Sequence, residues 1–406
     1  MSTTAPEHPI TPDQPIGTAD VQDWIDWFYE SFLPGWIERT RDPDGFGFYD
    51  LLDQNARPLQ KNRRTALAQA RLLFTFSHLG LTTGNPVFRD AAHVACDALQ
   101  AFQKSPGLYA RARAANKQPT NTDEDNLALS YDQSFVILGL STWGKLNPDD
   151  NTNPMLETCW SALENNLTDH ATGLLLEHDA VPAPSHPNAP LRAQNPHMHL
   201  YEAALQAFEM TEHPVWLERA RLMRTKGLEY FYDKDTGTII EFIAPDIGTL
   251  AGQEGQRREI GHQCEWAWLL HRETELGGDS HIGDIANQLL AFADKHGFQS
   301  NGVMQGAAYD AVSAELSFHE NKFLLWPQTE AIKTFAIRKD QTSYANNARH
   351  LMLLVFQKYF ANYPGFVNQL DNNGQPLWSE ALSRLLYHLV LALTEGSRAE
   401  LWRTPV

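Results

Sequence analysis

Apolar residues recur along this chain at the three- and four-residue spacing of helices, in long stretches parted by short segments rich in glycine, proline and aspartate. The first stretch, VQDWIDWFYESFLPGWIER over residues 21–39, predicts a helix kinked or broken at Pro34 and Gly35. Beyond it the pattern predicts helices in pairs: 61–79 with 86–103, 125–145 with 153–166, 195–210 with 214–232, 259–276 with 281–296, and 325–338 with 343–360. A last helix is expected over about 379–392.

The intervening turns place glycines at 45, 107, 173, 237, 302 and 365, in steps of 62, 66, 64, 65 and 63 residues. A near-constant period over the whole length marks a repeat architecture and argues against cutting the chain into domains. Each unit is a short glycine-bearing hairpin followed by two antiparallel helices. Six such pairs, the 21–39 helix closing the ring with the 379–392 helix, predict an all-α fold: a single-domain (α/α)6 barrel over residues 20–406. Residues 1–19 are polar, carry Pro6, Pro9, Pro12 and Pro15, and are expected as a flexible tail rather than a signal peptide.

Counting from each turn glycine into the next helix finds a polar residue among apolar ones at a shared phase: Arg71, Asp132, His199, His262, Gln328 and His388. If the repeat holds, these six face one axis. Glu265 stands three residues after His262 and so on the same helix face. Trp326 and Glu330 flank Gln328, and Asn195 lies one turn before His199. Three imidazoles and a carboxylate suit proton transfer near neutral pH, and a tryptophan face suits the C–H face of a sugar. Blander readings remain at this point: Arg71 pairing with Asp132 or Glu265 in the core, and His388 as a satisfied core residue within LLYHLVLAL. A metal is not expected, because His197 and His199 of the HxH point to different sides of a helix and no third ligand is evident.

Composition narrows the ligand. Fifty acidic against 32 basic residues leave a net charge of −18, a field that repels nucleic acid, polyphosphates and anionic membrane surfaces. Arg71 alone is too little cation for a phosphate site. An uncharged or cationic small ligand fits better. Apolar content of 42% supports a large core. No run of about 18 apolar residues is present, so a spanning helix is not expected. Cys96, Cys159 and Cys264 are far apart and odd in number, and read as buried thiols in a cytoplasmic protein, monomer or homodimer.

QARLLFTFS from Gln69, RAQNPHMHLYEA from Arg192, GHQCEWAWLL from Gly261, LWPQTEAI from Leu325 and LYHL from Leu386 together resemble the N-acylglucosamine 2-epimerase superfamily, over residues 20–395. The resemblance implies the (α/α)6 barrel and sugar chemistry on a small neutral monosaccharide, without metal or cofactor. Ser383 stands where disaccharide epimerases of the superfamily carry a tryptophan, and no Pro-Arg follows His388, so the chain is more similar to the mannose isomerase branch. The implied reaction is reversible conversion of D-mannose to D-fructose, with D-lyxose to D-xylulose as a related reaction. On that resemblance His388 opens the ring and His262 moves the C2 proton to C1. Glu265 sets the tautomer of His262, while Arg71, Asn195 and His199 hold the oxygens; Asp132, Trp326, Gln328 and Glu330 complete the sugar contacts. A 2-epimerase of N-acylglucosamine or a glucose-type sugar is the alternative. Behind it stand a glycoside hydrolase using Asp132, Glu265 and Glu330, and a non-catalytic sugar-binding protein.

Overall fold

A computed structural model describes residues 21–279 and 281–405, so the expected 1–19 tail lies outside the described residues. Twelve helices carry the fold among them. We number them α1 (residues 21–40), α2 (Ala66–Thr83), α3 (Pro86–Gln100), α4 (Ser130–Leu146), α5 (Asn153–Asn166), α6 (Asn195–Thr211), α7 (Pro214–Phe231), α8 (Ile260–Glu275), α9 (Ile282–His296), α10 (Leu325–Ile337), α11 (residues 342–360) and α12 (Leu386–Arg398). The even-numbered helices form an inner ring and the odd-numbered ones an outer ring, the predicted (α/α)6 barrel.

The two rings differ in sequence for a physical reason. Inner helices are covered on every side and are apolar or small almost throughout: thirteen of the eighteen residues of α2 are buried. Outer helices present one face to solvent, and α7 buries only Trp216, Ala220, Met223, Gly227 and Phe231. Proline falls in the first turn of α3, α5, α6 and α7, where its missing N–H costs nothing.

Short antiparallel pairings tie each repeat to the next at the mouth of the barrel. Residues 63–65 pair with 112–114, Leu129 bridges to His178, 192–193 pair with 242–243, 257–259 with 311–313, and 323–324 with 369–370. Leu51 and Leu52 pair with Leu382 and Ala381, which joins the first repeat to the last and closes the rim.

Three expectations need correction. The irregularity in α1 is a π-turn at Phe28–Phe32, where the Leu33 N–H reaches back to Phe28, and the helix runs on through Pro34 to Thr40. A proline ring crowds the carbonyl four residues before it, and the widened turn relieves that without a break. The last helix begins at Leu386, seven residues later than the pattern suggested, because 376–378 and 381–382 are strands. Finally, α1 does not pair with α12. Its aromatic face packs on α11, with Trp24 stacked on Phe356 at 5.7 Å and Phe32 edge-on to Phe360 at 5.2 Å, while α12 closes the inner ring against α2. Of the turn glycines, 45, 107, 173, 237 and 302 hold the left-handed conformation; in the sixth repeat it is Gly374, not Gly365. Cys96, Cys159 and Cys264 are free and buried, as expected.

Candidate active site

A recurring clamp sets the level of each inner helix. The Gln69 amide accepts from the Phe48 N–H and donates to the Phe48 carbonyl. Gln133 does the same to Tyr109, Gln263 to Ile239 and Gln328 to Ala308. In the third repeat His197 takes this place, its Nε2 accepting from the Leu175 N–H at 2.8 Å. These buried groups satisfy backbone that the hairpins would otherwise orphan. Gln328, expected to face the sugar, is therefore spent on structure. The clamp residue lies in the repeat phase beside the one that faces the axis, and counting from the glycines does not separate the two.

With the helices so placed, a cleft of about 240 Å³ opens among their first turns, lined by Arg71, Tyr131, Asn195, His199, Glu259, His262, Glu265, Trp326, Asn368, Trp378, Arg384 and His388, with Leu324, Leu382 and Leu385. Arg71, His199, His262, His388, Glu265, Asn195 and Trp326 thus converge as the sequence predicts. Asp132 does not line the cleft; its carboxyl is buried beside it, and burial, opposed by Arg111, Arg71 and Arg384, raises its pKa to about 7. Glu330 does not line it either. It lies fully buried behind His388. Of the three carboxylates a glycosidase would draw on, only Glu265 reaches the cleft. Gly261 lets the Trp326 ring pass so close that a Cβ there would meet it at 2.2 Å, which brings that ring beside His262 at 4.8 Å.

The imidazoles are each held by a carboxylate, though not the expected one. His262 Nδ1 lies 2.7 Å from Glu241 Oε2 and 3.3 Å from Glu259 Oε2. Glu265 makes no bond to His262; it turns toward His199, 3.8 Å from its Nδ1, and both its oxygens lack a hydrogen-bond partner among the described residues. The three-residue spacing works instead in α6, where His199 Nδ1 and Glu202 Oε2 are 3.0 Å apart, and Tyr387 donates to Glu202 as well. His388 Nδ1 lies 2.7 Å from Glu330 Oε1, and its Nε2 lies 3.2 Å from Arg71 Nη1. Since a guanidinium only donates, Nε2 of His388 carries the lone pair and Nδ1 the proton.

Charge divides the pair further. Burial lowers the pKa of His262, but the charges of Glu241 and Glu259 and the Glu241 hydrogen bond together outweigh it and hold it up at about 10. Burial also lowers that of His388, and Arg71 and Lys333 push the same way, to well below the usual range. At neutral pH one is an acid and the other a base. Arg384 adds a second guanidinium to the lining, lowered by burial and by Arg71, and it has no ion pair among the described residues. Glu241, Glu202, Tyr131, Arg384, Asn368 and Trp378 are absent from the sequence-based list. They come from strands, loops or off-phase helix positions, and no periodic signal marks them. His199 with Glu202 and Glu265, Glu241 with Glu259 and His262, and Glu265 with Glu330 and His388 each bring potential metal-ligand atoms within 4.8 Å. The short contacts in these clusters are accounted for as histidine–carboxylate pairs.

The family model of N-acylglucosamine 2-epimerase (GlcNAc 2-epimerase) matches residues 47–392. The chain belongs to this family. Within it, the chain is 27% identical over 333 residues to "Mannose-6-phosphate isomerase" of Rhizobium meliloti (strain 1021), covering 80% of this chain and 81% of that protein. It is 25% identical over 381 residues to "D-mannose isomerase" of Marinomonas mediterranea, covering 86% and 93%. The solved structure of cellobiose 2-epimerase from Bacillus thermoamylovorans B4167 superimposes with a TM-score of 0.78 at 15% identity, covering 90% of this chain and 98% of that one, a likeness of fold. This N-acylglucosamine 2-epimerase family member is thus an enzyme of the sugar isomerase and epimerase class. No helix among the described residues is long and apolar enough to cross a membrane.

Proposed function

We propose that the protein interconverts D-mannose and D-fructose by proton transfer through a cis-enediolate, with no metal or cofactor. The observation that carries this reading is the pair of imidazoles on one cleft with opposite surroundings, His262 against Glu241 and Glu259 and His388 against the Arg71 guanidinium, which favours a charged His262 and a neutral His388. Those states reverse the roles implied by the family resemblance. His262, a standing acid, donates to the ring oxygen as the hemiacetal opens, and takes back the proton that the anomeric hydroxyl releases as C1 becomes the aldehyde. His388 Nε2 then takes the proton from C2 and returns it to C1, while a second proton passes from O2 to O1; C2 becomes the ketone and C1 a CH2OH. Negative charge on the enediolate oxygens meets Arg71, His199 and the N-terminal ends of the inner helices, whose first two turns supply Arg71, Tyr131, His199, His262, Trp326 and His388. Ser383 supports a monosaccharide, because its hydroxyl is buried and donates to the Tyr49 carbonyl rather than facing the cleft.

A 2-epimerase is the second reading, favoured by Trp378, which stands 38% exposed at the rim and offers a face to a further sugar ring. Incubation with D-mannose in deuterated water, followed by NMR, decides between them. Fructose that retains part of the C2 hydrogen at C1 is expected; a 2-epimer formed with no ketose selects the second reading. His388→Ala is expected to lower kcat by about 10²–10⁴, and an unchanged rate would remove His388 from the mechanism. A chelator is expected to leave the rate untouched.

A further inference from the structure

Lys333 is a buried cation of the inner ring that the proposed chemistry leaves unexplained. It lies on α10 one turn beyond Glu330, with its side chain wholly buried, its Nζ 2.6 Å from Glu330 Oε2 and 3.9 Å from the centre of the Trp268 ring. An ammonium taken out of water costs several kcal/mol unless it is paired, and packing alone would be met by methionine or leucine. The groups facing it are three carboxylates from three helices, Glu330, Glu265 and Glu202. The contacts form a line: Lys333 to Glu330 at 2.6 Å, Glu330 to His388 at 2.7 Å, and His388 to Arg71 at 3.2 Å.

We propose that Lys333 is a positioning residue: its ammonium keeps Glu330 a carboxylate, and that carboxylate fixes His388 with the proton on Nδ1 and the lone pair of Nε2 toward the cleft. The donors around Glu330 require this form, since one oxygen faces an ammonium and the other an imidazole N–H. Burial and the neighbouring Glu265 raise the pKa of Glu330 well above the usual carboxylate range even with Lys333 opposing them, so its ionised form rests on the two contacts, 2.6 Å to Lys333 Nζ and 2.7 Å to His388 Nδ1. His388 is itself faced by Arg71, Lys333, His199 and His262; Glu330 is the carboxylate paired with it among the described residues, with Glu265 within 4.8 Å. Without the lysine, Glu330 takes a proton and can donate it to Nδ1. The imidazole proton can then move to Nε2, displacing the Arg71 N–H that Nε2 otherwise accepts, and the reacting lone pair is lost.

The inference rests on His388 acting as the base, and its test has a readout that does not need turnover. The 15N spectrum of His388 in the free protein is expected to report Nδ1–H in the wild type and Nε2–H in Lys333→Met. In kinetics, K333M is expected to lower kcat about 100-fold with KM changed less than about threefold. Glu330→Gln supplies the discriminating background, because an amide carbonyl accepts the Nδ1–H without any cation. Adding K333M to E330Q is expected to cost less than about threefold further. Multiplying losses in the double variant, or an unchanged tautomer in K333M, would overturn the proposal. If K333M does not fold, the comparison of E330Q with E330Q/K333M decides by the same criterion. A tautomer that shifts as expected in a protein that converts no mannose would leave Lys333's role standing and remove only the choice of substrate.

Discussion

His262 and His388 face the same cleft, yet the side chains behind them drive them apart: Glu241 and Glu259 behind one, Glu330 behind the other with Arg71 in front and Lys333 beyond. The pH dependence follows with a definite sign. A base is active above its pKa and an acid below its own, so kcat/KM is expected to form a plateau whose acid limb lies well below 6.5 and whose alkaline limb lies near 10. Glu241→Gln removes the largest influence raising His262, and its alkaline limb is expected to move toward neutrality, with about a tenfold or greater loss at pH 9 and a smaller one at pH 6. A limb that stays at 10 in E241Q would separate His262 from the acid role. At this scale sequence reading located the imidazoles but mispaired one of them. Glu265 shares a helix face with His262, and a one-helix argument could not see Glu241, which arrives from the strand region before α8 and reaches Nδ1 first.

At the scale of the element, the glutamine clamps explain why hairpin and helix act as a unit. Replacing Gln328 with leucine keeps the volume but orphans the N–H and carbonyl of Ala308 in a buried setting. At about 1–3 kcal/mol for each unmet group, the variant is expected to lose about 2–6 kcal/mol of stability, read by denaturant unfolding. Its KM is expected to stay within about threefold of the wild type. A large rise in KM with unchanged stability would return Gln328 to the sugar site. The same scale shows why the break offered at Pro34 does not occur: a π-turn lets the helix continue and keeps Trp24, Phe28, Phe32 and Trp36 on one aromatic face.

For the whole molecule, two seams add to the packing of α12 on α2 that closes the inner ring. The strand seam joins 51–52 to 381–382 at the rim, and the aromatic seam sets Trp24, Trp27 and Phe28 around Phe356 between α1 and α11. Phe356→Ala is expected to cost about 3–5 kcal/mol while leaving the limbs of the pH profile in place, because the cavity it opens lies between α1 and α11 in the outer ring and Phe356 does not line the cleft. A profile that shifted with it would tie the outer seam to the site's electrostatics.

The sequence alone settled what repetition can settle. A near-constant step between turn glycines, proline-headed helices and apolar inner segments report local geometry, and local geometry repeated six times leaves one closed arrangement. It also named seven of the residues that line the cleft, since a polar side chain inside an apolar helix stands out. Only the tertiary structure decided which carboxylate meets which imidazole, and that Gln328 holds backbone while Glu330 and Lys333 act from behind His388. Those outcomes depend on distances of a few ångströms between helices remote in the chain, where burial magnifies every charge, and no spacing along one helix encodes them.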